Sequence, residues 1–150
     1  MTQSCQFTVY GDPKPQGSKR ALMPKNARFP VVVESAGQPL KHWRTAISQV
    51  AAQHATSVFT EPVEVRIEFH IARPKSHFGT GRNASKLKDA APRQHTQKPD
   101  TDKLIRAVLD SLSKIVYRDD SQVVALVATK HWTDGKPRAD IHLFMIVTGK

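Results

Sequence analysis

One cysteine, Cys5, stands in a chain of 150 residues, so neither an intrachain disulfide nor a cysteine-based zinc site can form. Small secreted disulfide scaffolds are excluded and a reducing compartment is expected. Long apolar runs are missing too: stretches such as Val123 to Ala128 fall far short of the roughly 20 residues a membrane helix needs. The opening Met1-Thr2-Gln3-Ser4-Cys5-Gln6 has neither a basic start nor an apolar core, so the expectation is a cytoplasmic protein with no membrane partner. Internal repeats and low-complexity tracts are absent, as are a phosphate loop, a dinucleotide fingerprint and a histidine-glutamate metal helix. Acid is scarce as well, with 13 Asp and Glu against 23 Lys and Arg and a formal net charge of +10. Charge of this size concerns association rather than fold, and it points to a polyanion, with nucleic acid ahead of anionic membranes.

What is present fits one domain, for which 150 residues suffice. Cys5, Phe7 and Val9 alternate with polar residues up to Gly11, the period of a half-buried strand. A basic, Pro- and Gly-rich loop over about 12–28 follows, densest in cations between Lys14 and Arg20. Phe29 to Glu34 is a possible short strand that Pro30 confines to an edge or ribbon. Leu40, Trp43, Ile47, Val50, Ala51 and His54 share one face of a helix of roughly four turns. Val63 to Ile71 alternates without a fault. From Arg73 to Lys98 periodicity disappears while seven cations face one acid, Asp89; such a stretch either orders on a phosphate backbone or is a solvated linker. Leu104, Ile105, Val108, Leu109 and Leu112 give a second amphipathic helix, and Val123–Thr129 and Ala139–Val147 read as strands around an Asp134-Gly135 hairpin signal. The fold class expected is α+β, a mixed sheet with two main helices packed on it.

The few acids are segregated: Asp100, Asp102, Asp110, Asp119 and Asp120 fall within 21 residues. Residues two apart project to one side of an extended chain, and Pro99 keeps the chain extended just before the helix, so Asp100 and Asp102 can converge at the helix start. Clustered carboxylates repel one another unless a divalent cation sits among them, and an oxygen-only set suits Mg²⁺, with Mn²⁺ a substitute. Taken singly, Asp100-Thr101-Asp102 also reads as a helix cap, and Asp119-Asp120 as a turn before the next strand. Spacing alone leaves open whether Asp120 returns to the helix.

The run Lys98-Pro99-Asp100-Thr101-Asp102-Lys103-Leu104-Ile105-Arg106-Ala107-Val108-Leu109-Asp110-Ser111-Leu112, followed by Tyr117-Arg118-Asp119-Asp120-Ser121-Gln122-Val123-Val124, resembles the RusA family of Holliday junction resolvases. That family carries D-x-D-N-L-x-K-x-x-x-D-x-L and then D-D-x-Q-V. The likeness is strong from Lys98 to Lys130 and looser over the opening strand, the Gly11 to Arg20 loop and the helix around Trp43. It implies a RusA-like fold and a Mg²⁺-dependent homodimeric endodeoxyribonuclease, commonly of phage or prophage origin, that resolves four-way DNA by paired symmetric nicks in recombination and repair. Paired nicks need two sites related by a two-fold axis, which also points to a C₂ homodimer. The resemblance maps metal ligands onto Asp100, Asp102 and Asp120, and leaves Asp110 and Asp119 as structural or outer candidates. Two positions depart from the pattern: the family asparagine is Lys103 and the family lysine is Arg106. Arg106 can bind phosphate but is a poor proton donor, so the alternative is a non-catalytic branched-DNA or RNA binding module. His77, His95, His70 and His142 read as surface residues, and Lys130 as an exposed strand end.

Overall fold

The computed structural model describes residues 3–17, 19–23, 25, 26, 28–34 and 37–147. Ser18, Pro24 and Ala27 of the first basic loop lie outside the described residues, and for Lys19–Leu22 and Val31–Glu34 the backbone alone is described. Strand β1 (Ser4–Tyr10) buries Cys5, Phe7 and Val9, as its alternation requires. It stops at Gly11, whose φ of 141° disfavours any side chain and where an added Cβ would lie 3.2 Å from the Trp43 ring. The loop expected over 12–28 contains a strand, β2 (Lys19–Leu22), which pairs antiparallel with β3 (Val31–Glu34) as a separate two-stranded ribbon. Composition concealed β2 because a four-residue strand in a basic segment shows no alternation long enough to read.

Helix α1 (Gly37–His54) runs 18 residues, longer than the four turns expected, and buries Leu40, Trp43, Ile47 and Ala51. Strand β4 (Val63–Ala72) turns Val63, Val65, Ile67, Phe69 and Ile71 inward. Helix α2 (Thr101–Leu112) buries Leu104, Ala107, Val108, Ser111 and Leu112. It ends where Lys114 adopts a left-handed conformation with φ 70°. The helices touch each other, with the Ser48 hydroxyl donating to the Ser111 carbonyl at 2.9 Å, and α1 packs on β1 while α2 packs beside β5 (Val123–Thr133). The last strand, β6 (Arg138–Met145), buries Ala139, Ile141 and Leu143. The architecture is α+β as expected: a four-stranded mixed sheet with both helices on one face.

Sheet order is β1-β6-β4-β5, which corrects the hairpin expected at Asp134-Gly135. The turn exists, with the Gly135 amide donating to the Thr133 hydroxyl, but the strands it joins are not neighbours. β5 pairs parallel with β4, whereas β6 crosses the end of β4 and inserts antiparallel between β4 and β1. The Gly11 amide donates to the Pro137 carbonyl at the entry to β6. A turn dipeptide reports a local reversal; which edge the returning strand takes is set by burial, and β6 buries alternate residues between two partners where a hairpin position would leave them on the rim.

Candidate functional site

Asp100 is the N-cap of α2: its carbonyl accepts from the Leu104 amide at 3.1 Å, yet its side chain makes no capping hydrogen bond. The cap reading of this aspartate is therefore not realised, and the half-exposed carboxylate lies 3.8 Å from the Lys103 ammonium. Asp102 follows in the first turn of α2, exposed, and Arg106 is exposed one turn on. A cleft of about 480 Å³ opens at this helix start, and its charged lining consists of Asp12, Lys14, Lys98, Asp100 and Lys103. Asp12 pairs with Lys14 at 3.2 Å. The Gln16 amide donates to the Lys103 carbonyl at 2.9 Å, which docks the first basic loop onto α2.

Asp119 and Asp120 lie in the turn between α2 and β5 and have separate roles. Asp119 caps a short 3₁₀ turn, Asp120–Gln122, in a reciprocal box: its carboxylate accepts from the Ser121 amide at 3.0 Å, and the Gln122 side chain accepts from the Asp119 amide. The Ser121 hydroxyl and amide hold the Asp119 carboxyl below its ordinary pKa. Asp120 accepts no such bond among the described residues and is exposed. Its charge is felt at Tyr117, whose phenol is held protonated by burial first and by Asp120 second, while donating to the Leu109 carbonyl of α2. The 3₁₀ turn Asp120–Gln122 packs near α2. Among the described residues, the three acid or histidine side chains whose ligand atoms lie within 4.8 Å of one another are Glu68, His70 and Asp140, so Asp100, Asp102 and Asp120 are not drawn to that spacing. Asp110 lines a different cleft, of about 710 Å³, between α1 and α2.

The basic stretch 73–98 is held by the chain's own contacts, which neither alternative read from the sequence named. Two 3₁₀ turns, Lys75–His77 and Gly81–Asn83, punctuate it, and its far end is clamped by β5. Trp132 stacks on His95 with ring centroids 3.9 Å apart, meets His77 edge-on at 5.0 Å, and donates from its indole to the Gln94 carbonyl. Arg73 lies over the same ring and donates to the Pro92 carbonyl at 2.8 Å. Lys130 donates to the carbonyls of Gln97 at 2.8 Å and Pro99 at 2.9 Å, immediately before Asp100. His77 and His95 are buried, not surface residues, and Lys130 is a clamp, not a free strand end. Burial first, then the Lys130 charge, lowers the His95 pKa. His70 and His142 are also half-buried on the outer sheet face, against Asp140 and Phe144 respectively. No motif marks Lys130 and Trp132; their two-residue spacing on one face of an alternating strand is the available signal.

No helix among the described residues is long and apolar enough to cross a membrane. The chain is similar to the uncharacterized protein YqaN of Bacillus subtilis (strain 168), at 31% identity over 137 residues that cover 91% of this chain and 92% of YqaN. Endodeoxyribonuclease RusA matches residues 12–143, a span that contains the acid-bearing helix start, the returning turn and the basic segments. With the mixed sheet and two helices of the expected class in place, this match makes the chain a member of the RusA endodeoxyribonuclease family.

Proposed function

We propose that the protein is a Mg²⁺-dependent, structure-selective endodeoxyribonuclease that resolves Holliday junctions by paired symmetric nicks, acting as a homodimer in the cytoplasm of a cell that recombines or repairs DNA. The observation that carries this reading is the start of α2: an exposed carboxylate at an N-cap that makes no cap bond, in a cleft where Lys14, Lys98 and Lys103 gather. A carboxylate not spent on the helix cap, in a cleft with three cations, one of them the Lys103 it faces, suits a site that takes both a hard dication and a phosphate. Asp100, Asp102 and Asp120 are the residues that would hold the ion, since all three offer exposed oxygen donors. When bound, Mg²⁺ would polarise the scissile phosphate and favour hydroxide formation from water. Arg106 and Lys103 hold the phosphate oxygens, Arg106 through a planar fork that can engage two of them at once. Lys103 also faces the Asp100 carboxylate, which places an ammonium where a leaving oxygen could be neutralised. Lys14 and Lys98 line the path of the backbone into the cleft.

Cleavage of a synthetic four-way junction against a linear duplex of the same sequence tests this, with the native chain and Asp100→Asn compared in Mg²⁺. Paired symmetric nicks in the junction are expected, lost in the variant while junction binding persists. Tight junction binding by the native chain without a cut would make it a binding module. Equal cutting of linear duplex would remove the structure selectivity.

A further inference from the structure

On the face of the sheet away from the helices, β4 and β6 bring together Glu68, His70 and Asp140. Glu68 and His70 are two apart on the outward side of β4, and Asp140 is the cross-strand partner of Glu68. The His70 Nε2 lies 3.2 Å from an Asp140 oxygen and 3.5 Å from a Glu68 oxygen. This nitrogen is inaccessible to solvent and has no hydrogen bond of acceptable geometry. Donor atoms bound to one tetrahedral ion at about 2.0–2.2 Å stand roughly 3.3–3.6 Å apart; the imidazole is near that distance from each carboxylate, and all three donors lie within 4.8 Å of one another.

The supporting contacts are those a metal site needs. The Thr8 hydroxyl donates to the other Asp140 oxygen at 2.7 Å, which fixes the carboxylate, and His131 stacks on the His70 ring with centroids 5.4 Å apart. Two further charges lie near the group: Arg138 Nε is 3.4 Å from the same Asp140 oxygen that faces His70, and Arg66, which lines the same cleft as Glu68 and Asp140, is paired with Glu64 at 3.2 Å. With Arg66 committed to Glu64, two carboxylates and one guanidinium leave an excess of negative charge around the imidazole. We propose that Glu68, His70 and Asp140 form a second metal site that takes a borderline dication of the Zn²⁺ class, tying β4 to β6. An imidazole donor favours Zn²⁺ over Mg²⁺, so the site differs in chemistry as well as place from the aspartates at α2. It does not depend on the proposed nuclease reading.

Titration of the chelator-stripped full chain with ZnCl₂, followed by calorimetry, is the test, and it is run in the Asp100→Asn background as well as the native one. Expected is uptake of a Zn²⁺ ion by both, weakened at least about 100-fold in Asp140→Asn and His70→Gln, and about tenfold in Thr8→Val. Arg138→Gln should bind more tightly, because a competing cation is gone. No uptake by the native chain, or equal uptake by Asp140→Asn, would overturn the proposal. Because His70→Gln could fail to fold, the native chain is also followed by imidazole ¹⁵N resonances: a Zn²⁺-induced shift at His70 Nε2 is expected. A His70 resonance that ignores Zn²⁺ would reduce the cluster to an ion pair.

Discussion

Asp119 and Asp120 are chain neighbours with different tasks. Asp119 is committed to Ser121 and sits in a box closed by Gln122, whereas Asp120 leaves its carboxylate exposed near Tyr117. Asp119→Ala should therefore lower the melting temperature while Mg²⁺-dependent cleavage of the folded protein persists; Asp120→Asn should do the opposite. Thermal melts and junction assays on both variants decide, and a swapped pattern would reverse the assignment. The Asp-x-x-Gln spacing of a capping box was readable in the chain, but the dipeptide alone could not say which aspartate it consumed. His95 makes a second prediction. Its pKa is lowered in the folded state, so the unfolded chain takes up the proton first as pH falls through about 6.5. The stability associated with neutral His95 is complete above that value and is lost as pH falls towards the folded pKa. Melting temperature should drop over that window, and the drop should shrink in His95→Phe. Sequence reasoning missed the burial of His95 because the Trp132 ring that covers it lies on β5, far along the chain.

At the scale of elements, β5 is a clamp as well as a strand. Lys130 and Trp132 hold the backbone of residues 94–99 through carbonyl oxygens, and that backbone leads directly into Asp100. Lys130→Met should leave circular dichroism unchanged, raise hydrogen exchange in the segment before α2, and lower the cleavage turnover by on the order of 100-fold through misplacement of Asp100. Unchanged turnover with raised exchange would show that Asp100 does not need the clamp. Leu104→Ala, in contrast, removes a fully buried side chain from the core face of α2 and should cost about 2–5 kcal/mol by chemical denaturation. The two helices and strands β1, β4, β5 and β6 were legible because each carries enough apolar residues in register. The clamp was not, since a side chain that bonds backbone carbonyls leaves no complementary residue type to find.

For the whole molecule, a net charge of +10 predicts junction affinity that falls steeply as salt rises, with a log–log slope of about −0.9 for each phosphate neutralised. A flat dependence would remove the basic surface from the proposed function. Sedimentation of the free protein should give twice the mass of the chain if the two-fold arrangement demanded by paired nicks exists before DNA is met. Composition foretold the charge, and the periodicity of the elements the fold class, but neither gave the path of the chain through the sheet. The last strand lies inside the sheet: Ser4 of β1 stands opposite Phe144, and β1 reaches β4 through residues 138–145 alone. During synthesis from the N-terminus, β1 and β4 must therefore wait, with the edges that β6 will fill unpaired, until residues 138–145 have emerged. Their joining closes a very long loop late, so this fold should mature slowly and pass through a stage in which the β1 and β4 edges remain open to wrong partners.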